Sequence, residues 1–294
     1  MATVSKLIKR AEKSGLVKLS FQALKSENLY SDFEASLPHR FTRLSVMENA
    51  TSFGKQAATY AKGRPGYPAA LYRWITENSP AHDLIWDIGT GSGQAAHALT
   101  HYFKGVHATD ISANQIAEAK PHPQISYHTA PAQRSGLQSG SVSCMSVATA
   151  VHWFADEPFW AEVKRVAAPE ALFCAWTYQL PISNKAVHDE FLGPVLALID
   201  PYWAEGNRIC MAGYTTENLN CPFPVTTPPK FDAGGLWTAA QLVNFAESWS
   251  AHFRAREDNL ADELNALSTK FLEGHGDKPV EFSLPISVLA ARIA

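Results

Sequence analysis

Between Leu84 and Trp176, short apolar runs alternate with helical patterns, and this alternation fixes the class of fold. The runs Leu84–Ile88, Val106–Ala108, Ile125–His128, Val142–Ala148 and Leu172–Trp176 are strand-sized. Helical patterns fill the intervals from about Gly93 to Phe103, over Ser112–Lys120 and over Glu157–Ala167. Strands spaced by helices of roughly ten residues build βαβ units, and such units build a parallel sheet. Ala69–Asn78 adds a helix before the first strand, and Phe53–Tyr60 reads as a short helix upstream. Between those two, Gly63-Arg64-Pro65-Gly66-Tyr67-Pro68 cannot continue a helix and forms a shaped turn.

After Trp176 the alternation stops. Residues 177–236 are rich in proline, aromatic and polar side chains, with helical patches near Asn184–Ile199, and residues 238–273 are mostly helical. The closing apolar run, Glu281–Ile293, is interrupted at Pro285, which lacks a donor N–H and favours an edge or a strand end.

Composition removes several classes of function. With 46% hydrophobic and 18% charged residues, the 294-residue chain is too apolar for disorder. The net charge of −3 gives no basic excess for nucleic acid. That value averages two unlike parts, because residues 1–46 carry +4 and the remainder −7. The basic stretch reads as an appendage, as a helix packed on the body, or as sequence preceding a start at Met47. A targeting peptide is weakened by Glu12, Glu27, Asp32 and Glu34. Four cysteines without a C-x-x-C pair make neither a disulfide framework nor a zinc ribbon, and no apolar run has the length of a membrane span. A cytoplasmic protein, monomeric or homodimeric, with no membrane or nucleic-acid partner is expected.

The most informative stretch is Asp87-Ile-Gly89-Thr-Gly91-Ser-Gly93-Gln94, placed where a strand ends and a helix begins. Glycines at alternate positions allow a sharp turn and leave no Cβ between backbone and ligand, while the helix start presents free N–H groups. Dinucleotide binders need G-x-G-x-x-G, and Gln94 stands where that third glycine belongs. The observed D-x-G-x-G-x-G suits a cofactor with a carboxylate and an ammonium, Asp87 helping to hold the amino group. Asp110 lies 21 residues beyond Gly89 at the end of the next apolar run, where an acid accepts from both ribose hydroxyls. An ordinary tight turn, and an NAD-dependent oxidoreductase, are the weaker alternatives.

These residues resemble the class I S-adenosylmethionine-dependent methyltransferases, type 11 group. Tyr60-Ala-Lys-Gly-Arg64-Pro65-Gly-Tyr67-Pro68, Asp110-Ile-Ser112-Ala-Asn-Gln115-Ile116 and Ala150-Val-His152-Trp153-Phe154 are similar to segments of a subgroup that includes trans-aconitate methyltransferase-like proteins. The resemblance runs from about Phe53 to Ala294. It implies an α/β fold: a Rossmann-like, seven-stranded, mostly parallel sheet with helices on both faces and a helical cap inserted after the fifth strand. The implied organisation is a basic extension (1–46), an S-adenosylmethionine-binding core (47–176), a cap or substrate insertion (177–236) and the C-terminal part of the core (237–294). The implied cofactor site comprises Tyr60, Arg64, Asp87, Gly89, Gly91, Gly93, Asp110, Ile111, Ala132, Gln133 and Ala148.

Three positions depart from the family pattern. Gln133 replaces an acid near the adenine edge, although its amide carbonyl still accepts from an amino group. Ser143 replaces an aspartate that opens the fourth strand, and Pro169-Glu170-Ala171 replaces P-G-G, which strains Glu170 if the turn takes positive φ. These departures leave a second reading, a protein that binds S-adenosylmethionine without turnover.

Methyl transfer from a sulfonium is an in-line displacement with a neutral leaving group, so no acid catalyst is required. The protein must exclude water, align the nucleophile and, for a phenol or amine, remove a proton; a carboxylate is already ionised. His152 follows the fourth strand, where open α/β sheets place ligands, and reads as substrate contact or general base. The competing assignment is a structural imidazole bonded to backbone. Trp153 and Phe154 are expected to wall the substrate pocket. His97 and His101 share one helical face but lack a third ligand, so no metal site is expected. Trp237, Phe245, Trp249 and Phe253 read as packing. The expected function is O-methylation of a small-molecule carboxylate.

Overall fold

The computed structural model describes residues 65–294. The basic extension, the expected helix at 53–60, Tyr60 and Arg64 lie outside the described residues. The main sheet runs β3-β2-β1-β4-β5-β11-β7, with β8 also paired to β11. Parallel pairing joins β1 (Leu84–Ile88), β2 (Gly105–Asp110), β3 (Ile125–Thr129), β4 (Val142–Ala148) and β5 (Ala167–Tyr178). β11 (Pro285–Ile293) runs antiparallel beside β5 over eight residue pairs, Ile286↔Tyr178 to Ile293↔Ala171. Its other side takes only β7 (Val225–Thr226) and β8 (Phe231–Asp232). The expected Rossmann-like sheet is therefore present, with two short strands beyond β11 that bring the total to eight. Pro285 opens β11, as its missing N–H requires, but that strand lies inside the sheet rather than at an edge.

Alternation within the strands divides the core. On β5, Leu172, Cys174 and Trp176 face a cluster containing Leu71, Ile75 and Leu99. Phe173 and Ala175 face the opposite cluster, with Phe159 and Val163. The helices on these faces are α1 (Ala69–Glu77), α2 (Gln94–Leu99), α3 (Ala113–Glu118) and α4 (Glu157–Val166). Asp156 caps α4 by accepting the Phe159 N–H at 2.9 Å, a contribution of about 1 kcal/mol.

After β5 the chain forms a helical layer: the run 185–199, α5 (Glu205–Ala212), α6 (Ala239–Glu247), α7 (Ser250–Ala255) and α8 (Ala261–His275). The helices on either side of residue 237 pack together, as in the stacked Phe191–Phe271 pair with ring centres 4.7 Å apart. Thr238 and Gln241 start α6 with a reciprocal capping box. A small sheet, β6 (Ile182–Ser183), β10 (Val280–Ser283) and β9 (Gly235–Trp237), lies outside the main one. All four cysteines are free and buried. Among the described residues no helix is long and apolar enough to cross a membrane.

Candidate active site

The strand order reverses direction between β1 and β4, and in open α/β sheets the ligand crevice forms at the carboxyl ends around that point. Four segments converge there: the glycine turn after β1, Asp110 and Ile111 after β2, residues 149–154 after β4, and Tyr178–Leu180 at the end of β5.

Gly89, Gly91 and Gly93 all take positive φ, at 66°, 58° and 86°. A Cβ on Gly89 would lie 2.8 Å from Ala150 Cβ, and one on Gly93 would lie 2.3 Å from the Tyr127 hydroxyl. Those two glycines are thus required by packing as well as by conformation. At Gly91 a Cβ would meet only Gln115 Oε1, at 3.7 Å, so this position faces open space. The buried Tyr127 hydroxyl has no hydrogen-bond partner among the described residues.

Asp87, at the centre of the site, is fully buried. Thr90 Oγ1 donates to one carboxylate oxygen at 2.6 Å and Ser146 Oγ to the other at 2.8 Å. Burial pushes its pKa up to about 6 against the opposing pull of these hydroxyls. Asp110 accepts from the Gly91 N–H at 2.9 Å and the Ser112 N–H at 2.8 Å, which ties the end of β2 to the glycine turn. Burial raises its pKa as well. Beside it Ile111 is 61% exposed, an apolar surface at the rim of the crevice.

Gln133 turns its amide nitrogen to Asp156, 3.2 and 3.1 Å from the two carboxylate oxygens, leaving its carbonyl oxygen available as an acceptor. The preceding Ala132 packs at the margin of the lower core cluster. The loop carrying both is pinned through Ser135, whose N–H and hydroxyl donate to buried Glu162 at 2.8 and 2.6 Å. Arg165, hydrogen-bonded to the same carboxylate, drives the Glu162 pKa down to about 2. Ser143, the second departure from the family pattern, donates to the Ala81 carbonyl at 2.7 Å.

His152 stands in a turn of 3-10 helix, Val151–Trp153. Its Nδ1 is 2.7 Å from the Tyr214 hydroxyl and 3.1 Å from Cys210 Sγ. Burial pushes the imidazole pKa down to about 3, so the ring is neutral at physiological pH and a weak base. Trp153 packs under Gly206, where a Cβ would lie 2.9 Å from Cζ3, while Phe154 packs beneath Gly89 and against Phe159.

A cavity opens over the ends of β4 and β5 beneath the helical layer, with about 440 Å³ of empty space counting its open mouth. Thr149, Thr177 and Gln179 line its sheet side, and Trp203, Phe245 and Trp249 its helical side. His152, Trp153 and Phe154 are not among its lining side chains, although Cys210, which touches His152, is. Thr149 was missed by sequence reasoning. It holds φ at 51°, an outlier for a β-branched residue, and such strain gathers at functional sites. Its hydroxyl lies 2.9 Å from that of Tyr67, which stacks on Tyr178 with ring centres 4.7 Å apart. Tyr178 in turn donates to the Pro65 carbonyl, so the Pro65-Gly66-Tyr67 segment reaches the sheet ends through Pro65 and Tyr67.

The donor set fits an adenosyl amino-acid cofactor. A carboxylate stands at the end of β2, a second acid lies under a glycine turn with an open face at Gly91, and an exposed isoleucine flanks the crevice. Among the described residues no group of three or more histidines, cysteines or acids is placed to hold a metal ion.

Residues 86–175 match the Methyltransf_11 family, a methyltransferase domain. A solved structure from Anaeromyxobacter dehalogenans, by name an unproven type II methyltransferase, is 35% identical. It covers 78% of this chain and 98% of its own, with a TM-score of 0.71. A Dictyostelium discoideum protein, by name an unproven methyltransferase, is 28% identical over 251 residues, 82% of this chain and 94% of its own. An uncharacterized methyltransferase of Mycobacterium tuberculosis is 27% identical over 185 residues, 62% of this chain and 69% of its own.

Proposed function

We propose that this chain, which belongs to the class I S-adenosylmethionine-dependent methyltransferases, methylates a carboxylate oxygen of a small organic acid. When bound, the cofactor supplies a sulfonium methyl: the oxygen–carbon bond forms as the carbon–sulfur bond breaks, its electron pair staying on sulfur. The negative charge of the acceptor is consumed and a neutral ester results.

One observation carries the choice of acceptor. His152, in contact with the cavity-lining Cys210, has its pKa pushed down to about 3 and its Nδ1 2.7 Å from the Tyr214 hydroxyl. Such a group is a poor proton acceptor for a phenol or an ammonium near neutral pH, whereas a carboxylate needs no proton removed. His152 then orients Tyr214 and the cavity wall through Cys210 rather than serving as a base. The resemblance of the Arg-Pro-x-Tyr-Pro and His-Trp-Phe segments to a subgroup that includes trans-aconitate methyltransferase-like proteins supports an acid as acceptor.

For the cofactor, Asp110 is assigned to the ribose hydroxyls, Ile111, Ala132 and Gln133 to the adenine, and the backbone of Gly89, Gly91 and Gly93 to the amino-acid end. Asp87 beneath that turn supplies negative charge to the ammonium, Ala148 floors the crevice, and Tyr60 and Arg64 act at the cofactor carboxyl. The helical layer excludes water from the reacting atoms. The four buried free thiols suit a reducing cytoplasm.

Calorimetry with S-adenosylmethionine, its demethylated product and NAD tests the cofactor, and mass spectrometry of methyl esters over a panel of acids, phenols and amines tests the acceptor. Adenosyl ligands should bind wild type and lose binding to Asp110→Ala, and esters should form from acids alone. Turnover of phenols or amines in place of acids would overturn the carboxylate assignment.

A further inference from the structure

Among the described residues the cavity over β4 and β5 is lined by no charged side chain, and it is divided into two unlike ends. Its sheet side offers the hydroxyls of Thr149 and Thr177 and the amide of Gln179, while its helical side offers the rings of Trp203, Phe245 and Trp249. Those rings form one surface, with Phe245 and Trp249 centred 5.4 Å apart and Trp203 and Trp249 6.0 Å apart. The polar end adjoins the cofactor turn, because Thr149 is followed by Ala150, the residue a Cβ on Gly89 would strike.

Among the described residues, no lysine, arginine, histidine, aspartate or glutamate lines this cavity. The two arginines of the neighbouring helices are engaged elsewhere. Arg208 pairs with Asp200 at the surface, and Arg254 donates to the Tyr202 carbonyl at 2.9 Å.

We infer that the acceptor is a monocarboxylic acid with a flat, apolar body of aryl or alkenyl type, seated with its carboxylate toward Thr149 and its body against Trp203, Phe245 and Trp249. This rests on the assignment of a carboxylate acceptor. The single charge sits at the polar end and disappears in the ester. A second carboxylate would be carried into the aromatic end with no partner, which strongly disfavours its ionised form.

The test uses the full chain with saturating S-adenosylmethionine and compares kcat/KM for benzoate and cinnamate with that for succinate and propane-1,2,3-tricarboxylate. The aryl monoacids should lead by at least about tenfold, because an unpaired buried carboxylate costs more than the rings return. Equal or better use of the polyacids overturns the inference while leaving the carboxylate assignment intact. If phenols or amines are methylated and no acid is, that assignment falls, and the inferred acceptor falls with it.

A second measurement ties the preference to this cavity. Asn207 lines it and accepts a hydrogen bond from Ser250. Asn207→Arg places a cation there and should shift the ratio of succinate to benzoate turnover upward by about tenfold. A ratio that stays fixed in a folded variant counts against the placement, and binding of the same acids to the complex with demethylated cofactor reads that ratio independently of turnover.

Discussion

Asp87 is a carboxylate without solvent, held among the described residues by two hydroxyls and no cation. Its pKa stands at about 6 in the fold against 3.8 as a free side chain, so the folded state binds the proton more tightly than the unfolded state does. Stability of the ligand-free protein therefore falls as pH rises through that window, by at most about 3 kcal/mol for a shift near two units. A cofactor ammonium placed near this charge recovers the deficit, which converts a local cost into binding energy. Asp87→Asn should accordingly raise the ligand-free Tm near pH 8 by several degrees and flatten its pH dependence between about pH 4 and 6. The same variant should weaken S-adenosylmethionine at least about tenfold. Scanning calorimetry across pH, followed by titration calorimetry, reads both effects, and an unchanged or lower Tm with unchanged affinity would remove this role from Asp87.

The neighbouring glycines separate packing from ligand access. A methyl on Gly93 collides with the Tyr127 hydroxyl at 2.3 Å and approaches its ring carbons at 3.0 Å, on a backbone at φ 86°. Gly93→Ala is expected to cost about 1–3 kcal/mol of stability as well as cofactor binding. Adding Tyr127→Phe should restore only part of this, since the ring and the dihedral remain. Gly91→Ala has open space before it, with its nearest neighbour at 3.7 Å. It should fold with a loss of about 1 kcal/mol for the φ alone and still fail to bind the cofactor. Equal stability losses at the two positions would show that Gly91 serves packing too.

At the scale of elements, the irregular start of β5 carries a cost that can be removed. Glu170 is an exposed glutamate at φ 60°, beside the register shift between β4 and β5, at a position where the family resemblance implies glycine. Glu170→Gly should stabilise the protein by about 1 kcal/mol in urea unfolding, with turnover unchanged. A destabilised variant would mean that the side chain contributes something the strain conceals. This strain was foreseeable, because a missing glycine in a family turn is visible in the sequence. So were β1 and β4, whose observed bounds equal the runs expected for them, since both are buried on two faces and only Asp87, Ser143 and Ser146 interrupt their apolar character. β5 was expected over Leu172–Trp176 but extends from Ala167 to Tyr178, because its exposed start at Pro169 and Glu170 and its polar end at Thr177 carry no apolar signal. α2 is shorter than its helical pattern, ending at Leu99 rather than near Phe103. The acceptor cavity was hidden for a different reason. Thr149 gains its unusual φ from tertiary packing, and Tyr214 meets His152 across 62 positions of sequence, so no local pattern announces either contact.

At the scale of the whole molecule, every described group assigned to cofactor or acceptor lies between Pro65 and Trp249, and the two expected residues before them are Tyr60 and Arg64. Residues 1–46 carry +4 while the body carries −7, so the two parts also differ in the field they present to an anionic acceptor. A chain beginning at Met47 should therefore keep turnover within about twofold, because neither the cofactor turn nor the cavity loses a member. Cofactor binding offers the control for folding: a ligand at a hundred times its Kd adds about 2.7 kcal/mol to stability, read as a rise in Tm. The full chain and the shortened one should show the same rise at equal S-adenosylmethionine. A shortened chain that keeps the rise but loses turnover would assign the basic segment to acceptor handling, and one that loses the rise would assign it to the cofactor site itself.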